Sequence, residues 1–578
     1  MPVQVRPSAP HSNGQSDAAM NAAADRYAQS KADRQKFIDM VVQSNSRKKV
    51  VVAGPGTGKT FLFKEVLKGK NSALTLTFIN SLVEDLSLEL YGLSDVKTLH
   101  GFARGIMGQA TRSAKIFPKL SQVIKEDAEI ILAKKIDFDT LFHNMDEENE
   151  HIAFYKTRKA IYGHYGFTDV IFAAVKFLEQ HKKRIPIFDQ LIVDEFQDFN
   201  LLEVSLIELL ASKSPILITG DDDQSLYYFK SASPSYIRDR HRKGDPYEAF
   251  NLPYCSRCTR VIVEAINDVI KAALAEGFLK GRIDKPYLYF EDEKKEADCT
   301  KYPNLSHVRC FAKQFPYFIA TTIAEIARER REKFSVLIIA PTKTRCRSVA
   351  RALRSKGLEN VLYIDQQTEP ALTAMDCLSL LSEDRDCNLG WRVAAKLCMS
   401  TDEFRTLLEA TAQDPTKPVS DLIPSAVKKR VKAALSAFKK VNKEKTINKE
   451  ASTLLFAELS LDVDALAQDR LRETIRARAP RTSNPAIRNI PIKITTIPSS
   501  KGLAEDYVFV VDFDDRLFLE KDGKCSDQKI YDFLVALTRA RKKIYLVSGD
   551  AKEPKFLTWI KKERIETKIM LATVKERS

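Results

Sequence analysis

Lys49-Val-Val-Val-Ala53-Gly54-Pro55-Gly56-Thr57-Gly58-Lys59-Thr60 is the stretch on which the fold of this 578-residue chain turns. Its first five residues are a short apolar run that reads as a buried strand, and a helical pattern follows Thr60. A glycine-rich loop between a strand and a helix, closed by Gly-Lys-Thr, lets backbone N–H groups turn inward around phosphate oxygens. The N-terminus of the next helix adds its favourable dipole. Gly54, Pro55, Gly56, Thr57 and Gly58 are therefore expected to cradle a nucleotide. Lys59 would reach its β- and γ-phosphates, and Thr60 would ligand Mg²⁺. The position where the pattern usually has its first glycine is Ala53.

Such a loop needs a carboxylate for the metal and a group to orient or deprotonate water. Leu191-Ile-Val-Asp194-Glu195 supplies both at the end of another apolar run: Asp194 for Mg²⁺, Glu195 for the attacking water. Taken alone, an Asp-Glu pair after a strand is commonly just solvated; the loop gives it meaning. Further apolar runs at 73–78, 190–193, 215–219, 335–339, 507–511 and 543–547 alternate with helical stretches. That rhythm predicts parallel sheets covered on both faces, grouped into two α/β domains. Residues 105–185 and 381–490 look helical and read as inserted subdomains. Residues 1–30 begin rich in Pro, Ser, Asn and Ala and read as a disordered leader, with Met20 as an alternative start and helix beginning near Asp33.

Ninety-two Lys and Arg against seventy-seven Asp and Glu give a net charge of +15, a hint of nucleic acid. No apolar run approaches a membrane span, and no apolar segment opens the chain. Nine sparse cysteines fit a reducing compartment. These features predict a soluble cytoplasmic protein with no membrane partner. Residues 425–490 hold fifteen Lys or Arg and seven Asp or Glu, a net +8. A helix starting at Ser425 would bury Val427, Val431, Leu435 and Phe438 and expose Lys428, Lys429, Arg430, Lys432, Lys439 and Lys440. This surface, continued by arginines from Arg470 to Arg488, is either a solvated face or a docking site for duplex DNA or a partner. Cys255 and Cys258 form a Cys-x-x-Cys, but no second pair stands at zinc spacing.

The sequence after Asp194 runs Glu195-Phe-Gln197-Asp198, and later Thr219-Gly-Asp-Asp-Asp-Gln224-Ser-Leu-Tyr227-Tyr-Phe229-Lys. These strings resemble superfamily 1A helicases of the UvrD/Rep/PcrA type. The remaining motifs follow in the order of that family: Gln35, Thr77-Phe78-Ile-Asn80, Thr98-Leu-His100-Gly-Phe102, Leu252-Pro-Tyr-Cys-Ser-Arg257, Thr496-Ile-Pro-Ser499-Ser-Lys501-Gly-Leu and Val535-Ala-Leu-Thr-Arg539. The resemblance implies an α/β fold of two RecA-like P-loop NTPase motor domains with parallel sheets, each with a mainly helical insertion. One motor domain would comprise 31–104 and 186–251, the other 252–380 and 491–550, with a tail at 551–578. It also implies ATP and Mg²⁺ as cofactors, with Gln35 reading adenine and Arg257 and Arg539 as arginine fingers. Lys59, Glu195 and Gln224 complete the implied catalytic set. Phe78, Asn80, His100, Phe102, Tyr227, Phe229, Ser499 and Lys501 are the implied DNA contacts.

The chain departs from the family where Asn-Tyr-Arg becomes Cys255-Ser256-Arg257, where the histidine of the Lys-Gly-Leu motif is Pro498, and where the glutamate after Gly-Leu is Ala504. These changes fall on nucleotide recognition. The resemblance implies an ATP-dependent 3′→5′ helicase or translocase on single-stranded and tailed duplex DNA, in repair, replication or phage defence. The alternative is an ATPase and DNA-sensing regulatory subunit of an anti-phage complex like Gabija, whose nuclease is a separate chain. A pure RNA translocase is a third reading.

Overall fold

The computed structural model describes residues 13–570 except 79, 112–113, 243–245, 330–332, 359, 365–371, 444–448, 462–489 and 550–551. Six strands form the first sheet: β1 (Lys48–Ala53), β2 (Ala73–Thr77), β3 (Asp95–Thr98), β4 (Gln190–Val193), β5 (Ile216–Gly220) and β6 (Glu248–Leu252). β7 (Tyr254–Cys255) and β8 (Leu288–Tyr289) make a small pair. The second sheet has seven: β9 (Leu305–Arg309), β10 (Val336–Ile339), β11 (Val361–Tyr363), β12 (Ile492–Thr495), β13 (Glu505–Val511), β14 (Ala540–Ser548) and β15 (Ile565–Ile569). The orders are β3-β2-β4-β5-β1-β6 and β11-β12-β10-β13-β14-β9-β15. Every described pairing is parallel.

Burial explains the near-continuous apolar strands. Val50 and Val52 face one core of the first sheet, Val51 and Ala53 the other. Val336 and Ile338 are likewise split from Leu337 and Ile339 in the second. Parallel order brings the carboxyl ends of β4, β5 and β1 side by side, where ligands of open α/β sheets bind.

The helix at the start spans Asn13–Gln43, so the disordered leader extending to residue 30 is corrected. Ala22, Ala23 and Ala24 carry the best helix propensity. The first twelve residues of that leader lie outside the described residues. The tail differs too: β15 pairs with β9 and completes the second sheet. It is an edge strand with Ile569 57% exposed, which leaves little apolar signal. The first insertion's helices begin already at Leu99–Thr111 and the second's at Ala374–Glu383. The basic helix Ser425–Lys443 buries Val427, Val431, Leu435 and Phe438 as its spacing predicts, with Lys429, Arg430, Lys432 and Lys440 exposed. The arginines 470–488 lie outside the described residues.

The two insertions share one apolar core with the first sheet. At its centre the Asp127 carboxylate, on helix Leu120–Ile131, accepts from Arg158 Nε at 2.9 Å and Arg392 Nε at 3.0 Å. Arg158 lies in the first insertion and Arg392 in the second, and all three are essentially unexposed. Arg158 Nη1 also donates to Thr411 Oγ1 at 2.8 Å. Buried guanidiniums are tolerable only with such acceptors. Asp127→Ala is expected to cost about 3–5 kcal/mol. Hydrogen exchange should then rise together in helices Leu120–Ile131 and Asn388–Cys398; a rise in one alone contradicts a shared core.

Candidate nucleotide site and nucleic-acid interface

β1 ends in the phosphate loop, and helix Lys59–Leu67 starts at Lys59. Gly56 and Gly58 hold φ of +72° and +95°, the left-handed region that glycine adopts without strain. A Cβ at Gly56 would also strike the Cβ of Arg257, so the loop needs glycine for space as well. A cavity of about 480 Å³ opens over Gly56, Thr57, Gly58, Lys59 and Thr60. Its opposite wall is Ser256, Arg257, Lys295, Asp298, Asp506, Arg541 and Lys542. A cation-rich wall facing inward-turned amides suits a polyphosphate. Gly54 and Pro55 lie just behind, where the Tyr287 hydroxyl donates to Pro55 O at 2.9 Å.

Lys59 Nζ lies 3.1 Å from Asp194 and also pairs with Glu195. Thr219, at the end of β5, donates to Asp194 Oδ1 at 2.9 Å and fixes its carboxylate. Burial raises the Asp194 pKa, and Lys59 opposes that. Burial acts on Glu195 in the same direction, but Lys59 and Lys501 outweigh it and hold its carboxyl well below the ordinary range. Glu195 has φ +56°, uncommon for a non-glycine residue and worth one to a few kcal/mol of local strain.

A chain of hydrogen bonds leads away from Glu195. Gln197 Nε2 donates to Glu195 Oε2 at 2.7 Å, and Gln197 Oε1 accepts from the Asp221 amide at 3.0 Å. Gln224 Nε2 donates to Asp221 Oδ2 at 2.7 Å, and Arg539 Nη2 to Gln224 Oε1 at 3.2 Å. Arg539 belongs to the second domain, so the chain crosses between sheets. Burial, and then Arg257 nearby, pull its guanidinium down to about 10. Lys501, also of the second domain, pairs with Asp198, lies 3.3 Å from Glu195 and donates to Gln224 O at 3.0 Å.

That placement corrects two expected DNA contacts. Lys501 is 2% exposed and joins the domains, and Ser499 is buried with its hydroxyl unpaired. Phe102 and Tyr227 are also core residues, because the motif register points their rings inward. Phe78 is half-buried, 4.8 Å from the Tyr227 ring and 5.8 Å from Phe199. Phe229 is exposed as expected, and Tyr228 beside it, which the motif reading passed over, is more so. His100 lies on the same side, edge-on to half-exposed Phe167 at 5.4 Å. Burial, then Lys230 and His143, lower it to about 4, so its ring is neutral at pH 7. The side chain of Asn80 lies outside the described residues. Gln35 is exposed, donates to Asp39 Oδ1 at 2.7 Å along its own helix and does not line this cavity.

A family model of the UvrD/REP helicase N-terminal domain matches residues 133–244, which include Asp194, Glu195, Gln224 and Phe229. The chain is 23% identical over 281 residues to DNA helicase II of Haemophilus influenzae, covering 38% of each chain. It is 31% identical over 110 residues to ATP-dependent DNA helicase PcrA of Staphylococcus aureus, 18% of this chain and 15% of that one. It is 26% identical over 136 residues to the exonuclease/helicase protein RexA of Lactococcus lactis, 22% and 11% respectively. Over these stretches the chain is similar to UvrD-like helicases. Its matches span well under half the length of these relatives.

The donor set fits a metal-bound nucleoside triphosphate: a hydroxyl at Thr60, a fixed carboxylate at Asp194, and cations on both walls. Sequence reading missed Lys295, Asp298, Asp506, Arg541 and Lys542. Only Arg541-Lys542 carried a signal, as basic neighbours of Arg539. The carboxylate facing this cavity after Gly502-Leu503 is Asp506, while Glu505 pairs with Lys493 at 2.8 Å. Asp221, Asp222 and Asp223 are the one metal-like cluster among the described residues, but Lys285 and Arg282 occupy it. Lys59→Ala is expected to lower nucleotide hydrolysis by at least about 10³-fold, as loss of a central phosphate contact does, with single-stranded DNA binding retained. Steady-state hydrolysis and fluorescence anisotropy measure the two; hydrolysis near the normal rate contradicts the assignment.

Proposed function

We propose that the chain is an ATP-dependent helicase that moves 3′→5′ on single-stranded DNA and unwinds tailed duplex. The observation that carries this is the unbroken chain from Lys59 through Glu195, Gln197, Asp221 and Gln224 to Arg539 of the other domain. Lys59 places its ammonium among the phosphates. Glu195, kept ionised by Lys59 and Lys501, orients the attacking water. Arg257 and Arg539 present fixed cations to charge developing on the transferring group. Thr60 and Asp194 would hold Mg²⁺, which would supply charge neutralisation at the phosphates. Because Arg539 comes from the second domain, nucleotide favours the closed cleft, and its loss releases it.

The loop carrying Gln224 runs directly into Tyr228 and Phe229. Exposed aromatics beside Lys230 make a stacking surface that tolerates any base. Direction, and a role in repair, replication or phage defence, rest on the family likeness. A second reading, in which the chain works beside a separate nuclease, is favoured by the similarity to the exonuclease/helicase protein RexA. Among the described residues no helix is long and apolar enough to cross a membrane.

Double substitution Tyr228→Ala and Phe229→Ala is expected to weaken single-stranded DNA binding by about 2–6 kcal/mol, taking 1–3 kcal/mol for each stacked base, without changing hydrolysis in the absence of DNA. Unchanged affinity in a binding titration removes the assignment. An unwinding assay should open a duplex with a 3′ tail and leave a 5′-tailed one intact. The reverse preference contradicts the direction, and stimulation by RNA alone contradicts the substrate.

A further inference from the structure

Two neighbours on helix Asn13–Gln43 face different ways. Gln35 is exposed and committed to Asp39. Arg34 turns toward the phosphate loop, where a Cβ at Gly58 would collide with its Nη2. Its guanidinium lies 5.9 Å from the ring centre of Phe61 and 5.1 Å from that of Phe290. Phe290 is buried, whereas Phe61, immediately after Lys59-Thr60, is 42% exposed. Among the described residues no carboxylate pairs with Arg34, and its buried Nε has no hydrogen-bond partner. Burial lowers its pKa. A desolvated donor without an acceptor is costly, and a ligand that supplies acceptors recovers that cost. Ser256 has no ring to offer, and its hydroxyl donates to Gly56 O at 3.0 Å.

We propose that Arg34 reads the base of the bound nucleotide, so that this site takes guanine nucleotides alongside ATP; the inference rests on the nucleotide-hydrolysis reading above. A guanidinium has donors and no acceptor. Guanine presents two acceptors, O6 and N7, spaced for a bidentate pair with arginine. Adenine presents N7 and an amino donor, so one bond forms and the other edge meets donor with donor. An amide would match adenine, but the amide at hand, Gln35, is spent on Asp39. Phe61 gives the base a partly exposed face for stacking, next to the loop that holds the phosphates.

The test compares hydrolysis of ATP, GTP, CTP and UTP by the full chain, with binding of a fluorescent guanosine triphosphate analogue measured in parallel. Wild type is expected to use GTP within about threefold of ATP or better. Arg34→Lys keeps the charge and loses the fork, and should lower kcat/KM for GTP by about tenfold while changing ATP by less than about threefold. Arg34→Gln should shift preference toward ATP. A wild type at least about tenfold selective for ATP overturns the proposal. So does an equal loss for all four nucleotides in Arg34→Lys, which would mark a phosphate contact. Guanine-analogue binding that Arg34→Lys weakens, without turnover of any nucleotide, supports the base reading and overturns the hydrolysis reading instead.

Discussion

The ammonium of Lys501 is buried between the two sheets, against Asp198, Glu195 and the carbonyl of Gln224. Removing a charge from water is costly unless acceptors surround it, so the relative position of the domains is tied to this one group. Burial pushes the Asp198 carboxyl up to about 6 even with Lys501 beside it. Glu195 is shared: one side faces Lys501, the other Lys59. A phosphate group that competes for Lys59 therefore alters what Glu195 offers Lys501. Differential contact of this kind is what lets a ligand bias one arrangement of two domains over another.

The same joint reaches the exposed rings of Tyr228 and Phe229 within a few residues. Gln224 meets Arg539 and Lys501; Leu226 N–H donates to Asp198 Oδ1 at 3.4 Å; the Tyr227 hydroxyl donates to Pro498 O at 3.4 Å. Tyr227 is thus a packing residue that fixes the turn from which Tyr228 and Phe229 project. Behind it stand the two insertions, joined through Asp127, Arg158 and Arg392. They give this face a shared helical support.

The phosphate loop, Asp194 and Glu195 were legible in the sequence because their chemistry is local: a strand, a fixed spacing and a turn place them without reference to distant residues. So were the two sheets and the buried face of helix Ser425–Lys443. What failed was long-range. Lys501 sits in a motif that suggests DNA, yet Asp198, three hundred residues away, captures it. Choosing Tyr228 over Tyr227 required knowing which ring the second domain covers. Gln35 and Arg34 differ by one helical step, and only the position of Gly58 shows which faces the loop. Strand β15 lacked an apolar pattern because it lies on an edge and gains its hydrogen bonds from β9.

Gln224 is where the proposed nucleotide site, the domain joint and the proposed DNA-stacking strip meet, and removing its side chain tests whether they communicate through it. Steady-state ATP hydrolysis of Gln224→Ala, measured without and with saturating single-stranded DNA, is the direct measurement. DNA binding is expected to stay close to normal, while stimulation of hydrolysis by DNA is lost. Full stimulation by DNA in that variant would contradict the coupling.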